Sequence, residues 1–155
     1  MGSGKSAVGR LVAERVGAPF HDLDTLVERS AKMTVAEIWE RDGEQEFRRL
    51  EALLLPQVLV PGAVAALGGG APLPDANWKV VEERSLSVFL DAPFELIWQR
   101  IGGAVDRPLI RNRRAEEVAE LLERRRPLYS RAAFTVDAGR LPSLIADEIF
   151  ELWSK

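Results

Sequence analysis

The residues with the clearest chemical potential stand at the start of the chain, where Gly2-Ser3-Gly4-Lys5-Ser6 precedes an amphipathic segment. Glycines let a backbone wrap closely around a phosphate, and the N-terminus of a helix adds partial positive charge. A lysine in this setting reaches the outer phosphates of a nucleotide, and the serine hydroxyl can bind Mg²⁺. The pattern matches the second half of a phosphate-binding loop. A flexible glycine-serine start is the alternative, and these five residues alone leave it open.

Two aspartates follow the next apolar segment, in the sequence HDLD. Asp22 and Asp24 are two residues apart, so they share one face if the segment stays extended. They stand beyond the end of a predicted strand, which is where α/β proteins bind ligands. One carboxylate could hold Mg²⁺ or its water, and the other could accept a hydroxyl proton. The alternative is a helix N-cap, and Asp24 could serve as that cap while still facing a ligand.

Two further segments carry candidate residues. Arg48 and Glu51 are at i and i+3 of a predicted helix, and their spacing alone favours a surface ion pair. The three glycines Gly68–Gly70 follow a short apolar strand and allow a ligand to approach the backbone; a wide turn is the alternative, although it rarely needs three glycines. Other arginines are scattered, and spacing alone favours surface charge for each of them: Arg100, Arg107, Arg125 and Arg140.

The elements that must position these residues alternate between strands and helices. Apolar patterning predicts strands at about 18–21, 63–67, 85–90 and 133–137. It predicts helices at about 5–16, 24–32, 34–41, 44–59, 93–100 and 115–131, and a final amphipathic helix with Leu144, Ile145, Ile149, Leu152 and Trp153 inward. Residues 102–115 have no apolar period and read as a mobile loop. The alternation predicts an α/β fold with a parallel sheet.

Composition narrows the class of protein further. A chain of 155 residues with 46% hydrophobic and 29% charged residues fits one globular domain over 1–155. A net charge of −3 gives no reason to expect nucleic acid. The absence of cysteine excludes disulfides and thiolate metal sites, and a single histidine excludes a histidine-rich one. No signal peptide and no apolar run near the roughly 20 residues of a membrane span are present, so we expect a cytoplasmic protein.

Taken in order, six motifs resemble those of the shikimate kinase family: GSGKS, D-x-D within HDLD, DGEQEFRR, LGGGA, RPL within DRPLI, and R-x-P-L-Y within RRPLY. The match covers essentially the whole chain, and DGEQEFRR and LGGGA are far more specific than the phosphate loop. The resemblance implies a three-layer P-loop kinase with a five-stranded parallel sheet, helices on both faces and a mobile lid at about 102–115. It implies transfer of the γ-phosphate of ATP to the 3-hydroxyl of shikimate, in chorismate and aromatic amino acid synthesis.

The resemblance also implies residue roles. Lys5 would act on the transferred group, Asp24 would bind the shikimate hydroxyls and take the proton of the attacking one, and Arg107 would swing onto the phosphates as the lid closes. Arg48 and Arg125 would hold the shikimate carboxylate, with Glu51 orienting Arg48. The remaining implied contacts are Gly2, Ser3, Gly4, Lys5, Ser6 and Ala7 with the ATP phosphates, Ser6 and Asp22 with Mg²⁺, Gly68, Gly69 and Gly70 with the shikimate ring, and Arg100 and Pro142, with Arg140 nearby, around adenine.

The sequence departs from the family at its start. The family's first strand lies in the middle of the sheet, and this chain lacks that strand and the loop's first glycine, so we expect a truncated recorded start. Partners would be ATP and shikimate, bound by a monomer without nucleic acid or membrane. Two alternatives remain: a P-loop kinase of another hydroxy acid such as gluconate, and a non-catalytic nucleotide- or shikimate-binding remnant. Five retained residues argue against the remnant: Lys5, Asp24, Arg48, Arg107 and Arg125.

Overall fold

A computed structural model describes residues 2–101, 108–111 and 113–154. In these ranges the elements are α1 (Lys5–Val16), β1 (Phe20–Asp22), α2 (Leu23–Ala31), α3 (Val35–Val58), β2 (Val64–Ala66), α4 (Asp75–Arg84), β3 (Val88–Asp91), α5 (Phe94–Ile101), α6 (Ala115–Tyr129), β4 (Phe134–Asp137) and α7 (Pro142–Trp153). Each predicted strand is confirmed within three residues at either end. The α/β class with parallel strands is therefore confirmed.

The strands form two separate pairs rather than one sheet. Strand β1 pairs with β2 in parallel, with Phe20 opposite Val64. Strand β3 pairs with β4 in parallel, with Val88 opposite Phe134. Among the described residues no ladder joins β2 to β3.

An apolar groove of about 560 Å³ separates the two strand pairs. All residues of β2 and β3 line this groove. Each of these strands pairs with its partner, β1 or β4, along one edge, and its other edge borders the groove. Val8 and Val12 of α1 and the side chain of Ser3 also line it. The first described residues of the chain thus reach the groove between the two half-sheets.

Each strand pair has its own hydrophobic core. One core joins α1, α5, α6 and α7 to the β3–β4 pair, with Val8, Leu90, Val118, Val136 and Ile145 buried in it. The other core packs α2, α3 and α4 beneath the glycine-rich segment, and its members include Leu23, Val27, Ile38, Leu55 and Trp78. No helix in the described ranges has both the length and the apolar character needed to cross a membrane. The two cores are connected, because Val64 of β2 packs against the core that contains Val8 and Val12 of α1.

The range given for α3 contains the two helices predicted at about 34–41 and 44–59, which meet at a kink. Its first turn begins with the predicted capping box: Thr34 Oγ1 accepts from the Glu37 N–H at 3.2 Å, and Glu37 Oε2 accepts from the Thr34 N–H at 2.7 Å. The predicted break is present as a kink at Gly43, whose φ of 84° and ψ of 169° are not helical. Glycine adopts this conformation without strain, so the chain changes direction at Gly43 and then continues as a helix.

Three other predictions need correction. Helix α4 was not predicted, although Pro74 before it and the buried Trp78 and Val81 within it are helix signals. In α7, Leu144 and Trp153 are 50% and 57% exposed, so the prediction that both point into the core is wrong. Residues 108–111 of the predicted loop form a turn that buries Ile110, while residues 102–107 and 112 of the predicted lid lie outside the described residues.

Candidate active site

The glycine-rich start has the backbone of an anion-binding loop. Gly2 and Gly4 have φ angles of 68° and 91°, which glycine adopts without strain. Gly4 is the N-cap of α1, and among the described residues no side chain caps this helix end. Backbone N–H groups in the first turn of a helix can bind an anion. Ser3 and Lys5 of this loop also line the groove between the two strand pairs, so the loop forms part of the groove wall.

A serine and an aspartate meet beside this helix end. Ser6 Oγ donates to Asp22 Oδ2 at 2.6 Å. Asp22 ends β1 and caps α2, since its Oδ1 accepts from the N–H groups of Asp24 and Thr25 at 3.1 and 3.4 Å. The N-cap is therefore Asp22, and the prediction that Asp24 might serve as the cap is wrong. The prediction that the two aspartates share an extended face is also wrong, because Asp24 lies in the first turn of α2.

Asp24 faces the three-glycine loop. A Cβ placed on Gly68 would lie 2.6 Å from Asp24 Oδ1 and 2.8 Å from Glu51 Oε1. The two carboxylates therefore converge on one point of the loop backbone, although 27 positions separate Asp24 from Glu51 in the sequence. Only a residue without a side chain fits there, which explains the glycine on steric grounds.

Glu51 is buried and holds Arg48. The Glu51 side chain is 1% exposed and forms an ion pair with Arg48 Nη1, and Glu44 accepts from the other side of the guanidinium at 3.2 Å. Burial raises the pKa of Glu51, and the charge of Arg48 offsets only part of that rise. The prediction of a surface ion pair is therefore wrong, because Glu51 lies in the interior.

Two aromatic rings and a glycine complete the surroundings of Arg48. Its guanidinium carbon lies 5.2 Å from the centre of the Phe47 ring and 5.8 Å from that of Trp39. On the loop side, a Cβ on Gly70 would overlap the guanidinium. Arg48 is thus fixed in place by a carboxylate, by ring faces and by close contact with loop backbone.

Helix α6 brings the second predicted carboxylate ligand, Arg125, to the same loop. Its Nη1 atom is buried and has no hydrogen-bond partner among the described residues. One turn further on, the Tyr129 hydroxyl donates to the Gly69 carbonyl at 2.5 Å. Sequence reasoning missed Tyr129, although its i, i+4 relation to Arg125 puts both side chains on one helix face.

The residues predicted for the nucleotide are more dispersed. Arg100 Nη1 donates to the Gly2 carbonyl at 3.2 Å and would lie 3.7 Å from a Cβ on Gly4, so it contacts the phosphate loop. Arg140 forms an ion pair with Glu148, and that carboxylate raises the pKa of Arg140. Pro142 is the first residue of α7. Ala7 is exposed in the first turn of α1, and Arg107 lies outside the described residues.

Comparisons with known proteins agree with the motifs. A family model described as shikimate kinase matches residues 1–153. The chain is 38% identical to the shikimate kinase of Rhizobium meliloti over 138 residues, covering 88% of this chain and 72% of that one. It is 42% identical to the shikimate kinase of Ruegeria pomeroyi, covering 88% and 71%. The solved shikimate kinase of Acinetobacter baumannii in complex with shikimate superposes with a TM-score of 0.95 at 34% identity, covering 99% of this chain and 88% of that one.

Proposed function

The chain belongs to the shikimate kinase family, and on that premise we propose that the cluster around the three-glycine loop binds the acceptor and carries the reaction. The chain is an ATP-dependent kinase that transfers the γ-phosphate of ATP to the 3-hydroxyl of shikimate. The observation that carries the proposed roles is the convergence of Asp24, Glu51 and Arg48 on Gly68–Gly70. A kinase of gluconate is not supported by any of the matches reported above.

Arg48 and Arg125 bind the carboxylate of shikimate. A planar guanidinium matches a carboxylate with two parallel hydrogen bonds. The support for Arg48 is its fixed orientation against Glu51 and two ring faces. The support for Arg125 is the buried Nη1 that has no hydrogen-bond partner in the described part of the chain, since buried polar atoms usually have one.

Asp24 orients the attacking hydroxyl and accepts its proton. The oxygen of the 3-hydroxyl forms a bond to the γ-phosphorus, the bond from that phosphorus to the bridging oxygen of ADP breaks, and the hydroxyl proton passes to the carboxylate. Phosphoryl transfer depends mainly on positioning and charge stabilisation. The support for Asp24 is its position beside Gly68, where Glu51, the ion-pair partner of Arg48, also approaches the loop.

The phosphates of ATP lie on the loop from Gly2 to Ala7. Its support is the uncapped N-terminus of α1 with two glycines at positive φ. Lys5, the first residue of the helix, neutralises charge on the transferred group. Arg107 remains a proposed second cation for that group, and Arg100, Pro142 and Arg140 remain proposed contacts of the adenine.

Ser6 and Asp22 are the proposed holders of Mg²⁺. A hydroxyl and a carboxylate at 2.6 Å form an oxygen donor set of the kind that Mg²⁺ prefers. Mg²⁺ commonly keeps several waters and is bound by one or two carboxylates together with substrate phosphates. When bound, the ion offsets negative charge on the phosphates.

We also propose that the kinase acts as a monomer in the cytoplasm. The support for a monomer is that every residue of the proposed acceptor site comes from one chain. The support for the location is the requirement for ATP. Light scattering of the purified chain with and without ATP and shikimate measures the oligomeric state directly, since a dimer would double the molar mass.

The proposed role of Asp24 is tested with Asp24→Asn. The amide keeps the size of the side chain but is a poor base, so kcat should fall by about 10²- to 10⁴-fold. ADP release with ATP, Mg²⁺ and shikimate gives kcat, and thermal unfolding shows whether the variant is folded. Asp75→Asn is the control, because Asp75 is largely exposed and pairs with Arg131 away from the glycine loop.

Two outcomes contradict the proposal in different ways. Unchanged kcat in folded Asp24→Asn removes Asp24 from its role while the activity stands. Absence of ADP release above background by the unsubstituted chain counts against the activity itself, and a panel with gluconate in place of shikimate shows whether another acceptor is preferred.

A further inference from the structure

We propose that Tyr129 is a positioning residue that fixes the glycine loop and Arg125 for the acceptor. The hydroxyl of Tyr129 holds the carbonyl of Gly69, so that the peptide between Gly69 and Gly70 presents a defined face to the substrate. This inference rests on the proposed function, because it takes the space between Asp24, Arg48 and Arg125 as the place of shikimate.

The three glycine carbonyls are held in different ways. Gly68 O accepts from the Ala71 N–H at 3.1 Å, and Gly70 O accepts from the Leu73 N–H at 3.2 Å, so both are fixed by local turns. Gly69 O accepts from the Tyr129 hydroxyl, 60 positions away in the sequence. Since glycine backbone has more conformational freedom than that of any other residue, the middle peptide depends on a side chain of α6.

The hydrogen bond also sets the direction of a donor. In a trans peptide the carbonyl of one residue and the N–H of the next point in opposite directions, and no described peptide bond is cis. With the Gly69 carbonyl turned to Tyr129, the Gly70 N–H points away from α6. Gly70 itself lies against the Arg48 guanidinium, so the peptide whose carbonyl Tyr129 holds adjoins the residue proposed to bind the substrate carboxylate.

Tyr129 is itself held in place. Its ring packs against Phe89 of β3, with the ring centres 5.4 Å apart and the planes at 38°. Burial raises the pKa of the hydroxyl, and the nearby guanidinium of Arg125 opposes that rise. The hydroxyl therefore stays protonated near neutral pH and can donate to Gly69, and one residue connects β3, the loop and Arg125.

Tyr129→Phe tests the inference, because it removes the hydroxyl and keeps the ring. The KM for shikimate should rise by about 5- to 30-fold, the range expected when a buried acceptor loses its donor. The KM for ATP should change by less than about twofold, since the phosphate loop does not contact Tyr129. Ser130→Ala is the matched control: it removes a hydroxyl bonded to a carbonyl, Arg126 O at 3.0 Å, one residue further along α6.

Several outcomes would overturn the inference. An unchanged KM for shikimate in folded Tyr129→Phe does so, and so does an equal rise in both KM values or the same effect from Ser130→Ala. If the unsubstituted chain turns over shikimate while Tyr129→Phe behaves like it, only this inference fails. If the unsubstituted chain shows no turnover, the proposed function fails instead.

A second measurement does not depend on a substituted chain folding. Tyr129 is the single tyrosine of the sequence, so biosynthetic incorporation of 3-fluorotyrosine labels this position alone. The ¹⁹F resonance should shift when shikimate binds, because the ligand would lie beside the glycine loop to which the Tyr129 hydroxyl donates. It should shift little with ATP and Mg²⁺ alone. No shift with saturating shikimate would overturn the inference.

Discussion

Arg48 is positioned by its neighbours more than by its own helix. The buried Glu51 carboxylate, two aromatic rings and the backbone of Gly70 leave its guanidinium little freedom. A fixed guanidinium loses less conformational entropy when it binds a carboxylate. At the scale of single residues, Arg48 is therefore preorganised for binding the acceptor. Two predictions concern Arg48 and the carboxylate that holds it.

Arg48→Lys should raise the KM for shikimate by about tenfold or more, because a point charge replaces a bidentate fork. The KM for ATP should stay within about twofold of the original value. Steady-state kinetics with each substrate varied separately provides the measurement. Arg49→Lys is the control, since Arg49 is adjacent, largely exposed and paired only with Glu46 in the described structure. Equal effects on both KM values would contradict the placement of Arg48.

Glu51→Gln should change how stability depends on pH. Because burial raises the folded-state pKa of Glu51, its contribution is greatest below the unfolded pKa and is lost as pH rises through the folded pKa. As pH rises from the unfolded-state pKa of Glu51 through its raised folded-state pKa, the free energy of unfolding should therefore increase in the variant relative to the original chain. Urea unfolding at several pH values measures this difference.

Glu46→Gln is the matched control for that experiment. Glu46 pairs with Arg49 at the same i, i+3 spacing, but its side chain is 34% exposed, and its pKa is lowered by the hydrogen bond from Arg49. Its effect should have the opposite sign, with stability lost in the variant as pH rises. A pH dependence of Glu51→Gln like that of Glu46→Gln would contradict the raised pKa.

The glycine loop between β2 and α4 is the element on which the two cores converge. Its glycines are needed because protein side chains, and not only a ligand, crowd the backbone: Asp24 and Glu51 at Gly68, and Arg48 at Gly70. The loop is then closed by Tyr129 from α6. At the scale of elements, this loop joins helices that are far apart in the sequence.

Gly70→Ala should disturb binding more than stability. The added methyl overlaps the end of a flexible side chain, so Arg48 can move aside, and the KM for shikimate should rise by about tenfold as a charged hydrogen bond is weakened. Gly62→Ala is the control with the reverse profile: its φ of 76° strains alanine in open space, so stability should fall while KM is unchanged. A lowered melting temperature in Gly70→Ala without a change in KM would contradict the prediction.

At the scale of the whole molecule, the groove between β2 and β3 is the most unusual feature. Two parallel pairs border it, and in the part of the chain that the structure describes each has one strand edge unpaired toward the other. The walls of the groove are mostly apolar. Unpaired backbone groups and exposed apolar surface both cost stability. An extended apolar segment is the occupant that would satisfy both walls at once, and Ser3 places the chain at the groove.

A strand supplied ahead of Gly2 should therefore stabilise the fold. We expect that fusing about five apolar β-forming residues and one glycine before Gly2 raises the melting temperature by at least about 5 °C, which corresponds to a modest gain for a domain of this size. Calorimetry measures the gain. A fusion of the same length made of serine and proline is the control, because it can neither pair with both edges nor bury apolar surface. Equal melting temperatures for the two fusions would contradict the prediction.

The order of six sequence motifs was sufficient to identify the family and the parallel α/β class, because both depend on residue type, order and local periodicity. The glycine-serine start alone was not sufficient, since DGEQEFRR and LGGGA are the more specific motifs. Local signals also placed the Thr34 capping box and the kink at Gly43, since each is decided within a few residues.

Which side chains contact one another in the site depends on the tertiary structure. It buried Glu51, which local spacing favoured as a surface residue, because the second core covers that face of α3. It made Asp22 the cap and left Asp24 beside Gly68, since β1 ends one residue before α2 begins. It brought Tyr129 to Gly69. Such long-range contacts depend on how the helices pack across the half-sheets, which no single segment of the sequence encodes.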